Sequence, residues 1–186
     1  MITFIATSHN ETYSAYMFIS SLKLQTKHNW KCIIYNDGPN DFIKNVVTQF
    51  NDNRITYYES DKPNGFWGHY SRQSALKYVD TEFLIQTSIQ DYYIPTTVEE
   101  ILNVSSFSDL ILFNCLHNHF NYNVLNSTPK IDRVDWGCHA VRTKIAKSVG
   151  IQQPESSTCD GIFVENCLKY SGLRYYKIEK ILTTHN

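Results

Sequence analysis

The feature that most constrains the fold is a regular alternation of strand-like and helix-like segments before Pro95. Short apolar, β-branched runs typical of buried strands alternate with segments whose apolar residues recur at the spacing of one helix face. The predicted strands are residues 2–7, 31–35, 54–58 and 82–86, and the predicted helices are 11–25, 39–50 and 68–78. Strands that alternate with helices pair in parallel through right-handed crossovers. We therefore predict an α/β protein, a three-layer α/β/α sandwich with a central, mostly parallel sheet.

The second half of the chain is less regular. It is predicted to hold a strand at 110–114, a loop or hairpin at 117–130, helices at 142–149 and 160–170, and a late antiparallel element at 174–184. No repeat, low-complexity tract or linker separates the two halves. A chain of 186 residues fits one domain well and two poorly. We predict a single domain over 1–186, with a nucleotide-binding half at 1–95 and a second half at 96–186.

Charge and cysteine usage narrow the functional class. The formal net charge is −1, whereas proteins that hold a nucleic-acid backbone usually carry a basic excess, so no extended nucleic acid is expected as a partner. The five cysteines form no CxxC pair, which favours free thiols in a reducing compartment. No signal-peptide pattern and no apolar run of membrane-spanning length are visible. We expect a cytoplasmic protein without a membrane span.

Ligands of an open parallel sheet bind at the carboxyl ends of its strands. The candidate nucleotide-binding residues there are Thr7, Ser8, His9, Asn10, Asp37, Gly65, Gln90 and Asp91. The chain has no GxGxxG motif after its first strand and no phosphate-binding GxxxxGK[ST] motif. The phosphates of a bound nucleotide would therefore need another source of positive charge, and a divalent metal ion is the usual one.

Several segments, taken in order, resemble a known family. They are NDG at 36–38, the loop before Arg72, TSIQDYYIP at 87–95, VDWGCHAVRTKIAKSVG at 134–150, CDGIFVE at 159–165 and HN at 185–186. Together they resemble small, family 2-type glycosyltransferases of the GT-A fold, within the nucleotide-diphospho-sugar transferases. The resemblance implies transfer of a sugar from a nucleotide-diphosphate sugar such as a UDP-sugar to a hydroxyl of a glycan, small-molecule or protein acceptor, with inversion. The second half would then supply the acceptor and catalytic groups.

Two residues are candidates for direct donor binding, the first through the resemblance and the second through the chemistry of its side chain. The acid after the second strand binds the nucleotide base in that family, which implies this role for Asp37. The alternative is that Asn-Asp-Gly-Pro is simply a turn, since each of these residues favours one. Arg72 lies on the third predicted helix and would hold the diphosphate through two hydrogen bonds. A solvent-facing arginine is the alternative.

The metal site departs from the family pattern. Members of that family usually bind the metal through an Asp-x-Asp (DxD) motif. When the sequence is aligned on Pro95, the three positions of this motif fall on Ser88, Ile89 and Gln90, and only the next residue, Asp91, is charged. The resemblance implies Mn²⁺ or Mg²⁺ held by Asp91 and by His185, with the diphosphate completing the ligand set. The alternatives are that Asp91 only caps a local segment, that His185 belongs to a disordered tail, and that no metal binds.

The resemblance also implies a catalytic base and an acceptor cleft. An inverting transfer needs one base for the acceptor proton, and Asp160 occupies the corresponding place at the start of a helix. We expect the helix N–H groups to lower its pKa. An N-cap role is the alternative for Asp160, with Glu165 and Asp135 as substitute bases. The implied cleft residues are Trp136, Gly137 and His139, although a lone tryptophan is often a core residue.

Two other functions are compatible with parts of the pattern. The loss of the DxD acids suits a catalytically degenerate member of the fold that acts as a nucleotide-sugar-binding or scaffold module. A nucleotidyltransferase would need a glycine-rich, arginine-containing loop after the first strand, and residues 8–11 contain none.

Overall fold

The computed structural model describes residues 1–11 and 13–186. Within these residues the elements follow one another as β1 (Ile2–Ser8), α1 (Ser14–Lys23), β2 (Trp30–Asn36), α2 (Asp41–Phe50), β3 (Ile55–Glu59), α3 (His69–Ala75), β4 (Phe83–Ser88), β5 (Tyr92–Tyr93), α4 (Thr97–Val104), β6 (Leu110–His117), β7 (Asn123–Leu125), β8 (His139–Arg142), α5 (Thr143–Val149), α6 (Cys159–Leu168) and β9 (Tyr175–His185). Short 3₁₀ turns lie at Phe66–Gly68, Leu76–Tyr78, Asn118–Phe120 and Trp136–Cys138.

All the strands join one sheet in the order β3-β2-β1-β4-β8-β6-β9-β5, with β7 paired to β6. The four longest ladders, β1 with β2, β1 with β4, β2 with β3, and β6 with β9, are parallel. The shorter ladders of β8, β7 and β5 are antiparallel. The predicted α/β class with a mostly parallel sheet is therefore confirmed.

The direction of the last strand differs from the prediction of an antiparallel element. Strand β9 runs parallel to β6 from the pair Leu110 and Tyr175 to the pair His117 and His185, and it is antiparallel only to the two-residue β5. The reason lies in the connection. Strand β8 ends at the amino end of β6, and α5 and α6 return the chain to that same end, so β9 must run in the direction of β6.

Two apolar cores cover the two faces of the sheet. Phe4 of β1 lies in the core that contains residues of α1, α2 and α4, such as Phe18 and Val98. Its neighbour Ile5 lies in the other core, with residues of α3, α5 and α6 such as Phe163. Successive residues of a strand point to opposite faces, so this division places three helices on each side of the sheet. The layers are those of an α/β/α sandwich.

The helix boundaries follow local signals. Asn40 caps α2, because its side chain accepts a hydrogen bond from the Ile43 N–H at 3.1 Å, and Asn51 ends the helix in the left-handed conformation. The predicted helix at 68–78 is shorter, since α3 ends at Ala75 and a 3₁₀ turn follows. The segment 117–130, predicted to be a loop or a hairpin, contains β7, which forms a hairpin with the preceding strand β6.

Three elements were not predicted, namely β5, α4 and β8. Strands β5 and β8 have only two and four residues, too few for a periodic pattern. Helix α4 has eight residues, of which Val98 and Ile101 are buried. Among the helices of residues 1–11 and 13–186, none combines the length and the apolar character needed to cross a membrane.

Candidate active site

A cavity of about 840 Å³ lies at the carboxyl ends of β1, β2, β4, β6 and β9. These strands all run in the same direction, so the polar residues that follow them gather at one edge of the sheet. The predicted site residues that line the cavity are Thr7, Ser8, His9, Asp37, Gly65, Arg72, Gln90, Trp136, Asp160 and His185. The predicted site residues that do not line it are Asn10, Asp91, Gly137 and His139.

Asp37 follows β2 and is almost fully buried. One carboxylate oxygen accepts a hydrogen bond from the Gly65 N–H at 2.7 Å, and the other accepts one from the Asn64 N–H at 2.8 Å. These partners lie beyond β3, so Asp37 does more than stabilise a local turn. Its carboxylate holds the loop after β3 against the cavity, and base recognition by Asp37 stays a prediction.

The loop held by Asp37 has an unusual backbone. Gly65, Phe66, Trp67 and Gly68 all have positive φ, and φ is 52° for both aromatic residues. Large side chains rarely adopt this conformation, so the loop is strained. Gly68 also lies too close to β1 for any side chain, because a Cβ there would be 2.7 Å from the Thr7 Oγ1. The result is that Trp67 borders the cavity with 65% of its surface exposed.

Arg72 of α3 is 4% exposed, which excludes the solvent-facing alternative. Its guanidinium donates hydrogen bonds to the Trp67 carbonyl at 2.6 Å and to the Thr87 carbonyl at 3.0 Å, and it lies 5.3 Å from the Trp136 ring centre. Burial lowers the pKa of Arg72, whereas the charges of nearby aspartates raise it. Arg72 is the only arginine or lysine among the described residues that line the cavity.

Asp91 lies just behind the cavity wall and is 2% exposed. Its Oδ2 accepts hydrogen bonds from the Thr87 hydroxyl and from the Ser88 N–H at 2.9 Å, and its Oδ1 lies 2.6 Å from the His185 Nδ1. Both oxygens therefore have partners within the protein. This placement differs from the prediction that Asp91 faces the diphosphate, because the turn after β4 directs the carboxylate toward the end of β9.

His185 belongs to β9 and is half-buried, so it is not part of a disordered tail. Burial lowers the pKa of His185, but the hydrogen bond and negative charge of Asp91 outweigh burial and raise this pKa to about 9. The ring therefore has a fixed orientation, with Nδ1 toward Asp91.

Three side chains come together on the wall of the cavity. Potential ligand atoms of His117, Asp135 and His185 all lie within 4.8 Å of one another. His117 ends β6 directly opposite His185 of β9, and its Nε2 is 3.9 Å from the Asp135 Oδ2. Burial raises the pKa of Asp135, but its interaction with His117 and the charge of His185 bring that pKa well below the ordinary range. Asp135 is therefore ionised at neutral pH.

Asp160 lies in the first turn of α6, and the N-cap of that helix is Thr158 rather than Asp160. The Asp160 carboxylate accepts a hydrogen bond from the Gly161 N–H at 2.7 Å. Burial raises the pKa of Asp160 to about 7, with a further contribution from the negative charge of Asp135. The expected lowering by the helix N–H groups is outweighed by desolvation and like charge. The substitute base Glu165 does not line the cavity, and it accepts a hydrogen bond from the Ile131 N–H.

The three predicted cleft residues have different positions. Trp136 is 5% exposed and borders the cavity, so only part of its ring is accessible. Gly137 lies behind the wall, where a Cβ would be 2.7 Å from the Asp91 Oδ2. His139 is fully buried, and burial lowers its pKa to about 4, so it is a neutral core histidine. Of the three, only Trp136 can contact a ligand directly in this conformation.

Sequence reasoning missed His117 and gave Asp135 only a substitute role. The signal for His117 was present in the apolar run LILFNCLH, which continues the strand to the histidine. The polar, Asn-rich residues that follow it favour a loop or hairpin that begins at His117. Other cavity residues that were not predicted include Glu11, His69, His119, Phe120 and Asp132.

Comparison with known proteins identifies the family. A family model described as "Glycosyl transferase family 2" matches residues 3–141. The chain belongs to this family.

Individual relatives of this family 2 chain are distant. Over 151 residues it is 24% identical to the Escherichia coli protein "UDP-Glc:alpha-D-GlcNAc-diphosphoundecaprenol beta-1,3-glucosyltransferase WfgD", covering 81% of this chain and 57% of the relative. S. aureus TarS 1-349 matches 100% of this chain and 60% of that chain, with a TM-score of 0.80 and 14% identity. The mannosyltransferase PcManGT from Pyrobaculum calidifontis, solved with GDP-Man and Mn²⁺, matches 99% of this chain and 56% of that chain, with a TM-score of 0.78 and 12% identity. The family 2 chain thus spans a little over half the length of these relatives.

Proposed function

We propose that this chain transfers a sugar from a nucleotide-diphosphate sugar to an acceptor hydroxyl, with inversion, and that Asp160 is the base. The observation that carries the proposal is a carboxyl group with a pKa of about 7 on the wall of the same cavity as the buried Arg72. A base acts best when its pKa is near the working pH. Family membership, and relatives that act on UDP-Glc or were solved with UDP-GlcNAc, support a UDP-sugar as the first donor to test.

The donor would bind with its diphosphate near Arg72. The guanidinium is buried and held by two backbone carbonyls, so its position is fixed before the donor arrives. A fixed charge loses little entropy when it binds an anion. The base of the nucleotide would lie near Asp37 and the loop at 64–65, where the polar backbone and Asn64 side chain are within reach of the same carboxylate.

The transfer itself would be a single displacement. Asp160 accepts the proton of the acceptor hydroxyl, the hydroxyl oxygen forms a bond to the anomeric carbon, and the bond from that carbon to the diphosphate breaks with its electron pair leaving on the diphosphate. A bound metal ion would stabilise the negative charge of this leaving group. Positive charge from Arg72 acts in the same direction.

A binding module without turnover is the alternative, and the missing DxD acids are its support. The high pKa of Asp160 argues against it, because a half-buried carboxyl beside Asp135 serves no packing purpose that a neutral residue could not serve. A measurement of donor hydrolysis or of sugar transfer would distinguish the transferase from the binding module.

The first experiment is a thermal-shift screen of UDP-Glc, UDP-GlcNAc and GDP-Man, followed by calorimetry. A donor at a hundred times its Kd should stabilise the fold by about 2.7 kcal/mol, which corresponds to a shift of several degrees. Arg72→Met should weaken donor binding by about tenfold or more, since it removes a charge-assisted hydrogen bond. The matched control is Arg133→Met, because Arg133 is exposed and does not line the cavity.

The proposal has a clear contrary result. If no nucleotide sugar shifts the melting midpoint, or if Arg72→Met binds the donor as tightly as Arg133→Met, the cavity is not the donor site. If donors bind and no acceptor or water ever receives the sugar, the binding-module alternative takes precedence.

A further inference from the structure

We propose that His117, Asp135 and His185 form a binding site for a divalent transition-metal ion, which replaces the site that the DxD acids build in the usual family pattern. The inference rests on the proposed function, because the ion would neutralise the diphosphate of the donor. It differs from the sequence-based expectation in its ligands and in the kind of ion that it selects.

The segment that corresponds to the acidic motif does not fit a metal ion. Ser88 and Gln90 are neutral, and Ile89 between them is completely buried. The next residue, Asp91, has both carboxylate oxygens engaged by Thr87, Ser88 and His185. Mg²⁺ requires a set of oxygen ligands in near-octahedral geometry, and no carboxylate of residues 88–91 is free to supply one.

Two of the three proposed ligands are oriented by hydrogen bonds to other residues. The Gly137 N–H donates to the Asp135 Oδ1 at 2.8 Å, which leaves the Oδ2 directed toward His117. Asp91 binds the Nδ1 of His185, which leaves the Nε2 as the ring nitrogen that a metal ion would bind in place of its proton. A carboxylate that fixes the outer nitrogen of a histidine is the usual support of a metal-bound imidazole. Asp91 therefore has a positioning role in this site.

His117 requires one change on binding. Its Nδ1 now lies 3.2 Å from the His119 N–H, which favours a proton on Nε2. Coordination through Nε2 needs the proton on Nδ1 instead. The contact with the His119 N–H would then be lost, and the 3₁₀ turn Asn118–Phe120 would rearrange.

The charge of the cavity supplies an independent reason for a cation. Five carboxyl groups line the cavity, those of Glu11, Asp37, Asp132, Asp135 and Asp160. Among the lining residues that the structure describes, Arg72 is the one permanent cation that faces them. A diphosphate brings further negative charge into this space, and the repulsion is strong where water is scarce. A divalent cation at the cavity wall would offset part of this negative charge.

The donor set determines which ions should bind. Two imidazoles and one carboxylate suit Mn²⁺, Fe²⁺, Co²⁺ and Zn²⁺, whereas Mg²⁺ prefers oxygen ligands alone. Three protein ligands also leave coordination positions for diphosphate oxygens. The site should therefore bind transition ions without nucleotide, and it should discriminate against Mg²⁺.

The test uses the full chain, stripped of metal by a chelator, with no nucleotide sugar present. Titration with Co²⁺ is followed by visible absorption, and binding of Zn²⁺, Mn²⁺ and Mg²⁺ is followed by calorimetry. We expect one Co²⁺ or Zn²⁺ per chain and an affinity for Mg²⁺ at least about tenfold weaker. His117→Ala and Asp135→Asn should each weaken Co²⁺ binding by about ten- to hundredfold, and Asp91→Asn should do so through His185. The control is His28→Ala, a surface histidine outside the cavity.

Melting curves of each variant without metal show whether it is folded, and Asp135→Asn preserves shape where an alanine would not. The inference is overturned if Mg²⁺ binds as tightly as Co²⁺, or if folded His117→Ala and Asp135→Asn keep the affinity of the parent. Its failure is distinct from failure of the proposed function. Sugar transfer that persists in excess chelator, in a chain that binds no Co²⁺, rejects the metal site alone. A Co²⁺ site in a chain that binds no nucleotide sugar rejects the function alone.

Discussion

Replacing Asp160 by Asn should remove most of the sugar transfer and, at the same time, stabilise the fold at and above neutral pH. Asn keeps the shape of the side chain but has no oxygen that can take the acceptor proton. Loss of a positioned base lowers turnover by about a hundredfold or more. Donor binding should change little, because Asp160 contacts neither Arg72 nor Asp37 through a hydrogen bond among the described residues.

The gain in stability follows from the sign of the pKa shift. Burial and Asp135 raise the pKa of Asp160 from an ordinary value of 3.8 to about 7. Between these two values the folded protein still holds a proton that the unfolded chain has released, so the stability of the parent falls as pH rises through this window. The asparagine of the variant does not titrate and therefore contributes no such loss. The melting midpoint of Asp160→Asn should exceed that of the parent by more at pH 8 than at pH 5.

The same pKa sets the pH dependence of turnover. Asp160 would be about one-tenth ionised at pH 6 and about nine-tenths ionised at pH 8, so the transfer rate of the parent should rise nearly tenfold over that interval. Release of UDP from a UDP-sugar, measured at saturating donor, gives the rate profile, and scanning calorimetry gives the midpoints.

A matched control for this experiment is Asp132→Asn, which changes an exposed aspartate of the same cavity. Asp132 has a positive φ, and asparagine tolerates that backbone conformation. This variant should show the same rise in transfer rate around pH 7 as the parent. The reasoning is refuted if Asp160→Asn keeps parental turnover, or if it lowers the midpoint at pH 8. A parental profile that is flat between pH 6 and pH 8 would also exclude Asp160 as the titrating base.

Two further predictions concern stability. Gly137→Ala should lower the free energy of unfolding by about 1–3 kcal/mol in urea denaturation, because the added methyl group meets the Asp91 carboxylate at 2.7 Å and neither backbone nor carboxylate can withdraw easily. Unchanged stability would mean that the turn after β4 is free to move. Asp109→Asn should destabilise the chain by about 1–3 kcal/mol at pH 7, because Asp109 accepts hydrogen bonds from Arg142 and Arg174. Arg174 in particular holds the pKa of Asp109 well below its usual range, so this stability is present above the ordinary pKa and is lost as pH falls through the lowered one. The difference between variant and parent should therefore shrink in strong acid, and a pH-independent difference would contradict the ion-pair account.

The first half of the fold could be predicted from the sequence because its signals are local. The strand runs at 2–7 and 31–35 are continuous and apolar, and the structure has β1 and β2 there. The direction of β9 could not be derived in this way. It depends on where β8 ends in the sheet, and β8 has four residues that carry no recognisable period.

The candidate site could be predicted in position more readily than in detail. Asp37, Arg72 and Asp160 line one cavity because each follows or faces the carboxyl edge of the sheet. Sequence register could show that Asp91 is charged, but not that its carboxylate turns toward His185. Likewise, the pKa of Asp160 depends on burial and on Asp135, and neither is visible in a helix-start pattern.

The position of β9 has a consequence for how the protein becomes active during folding. This strand lies between β6 and β5, and it brings His185 beside His117. A chain that has formed every earlier element but not yet inserted β9 would leave the long edge of β6 unpaired, and exposed strand edges invite aggregation. Such an intermediate would also have only part of the histidine cluster. Ligand binding should thus appear in the last step of refolding, after most secondary structure has formed, rather than in proportion to it.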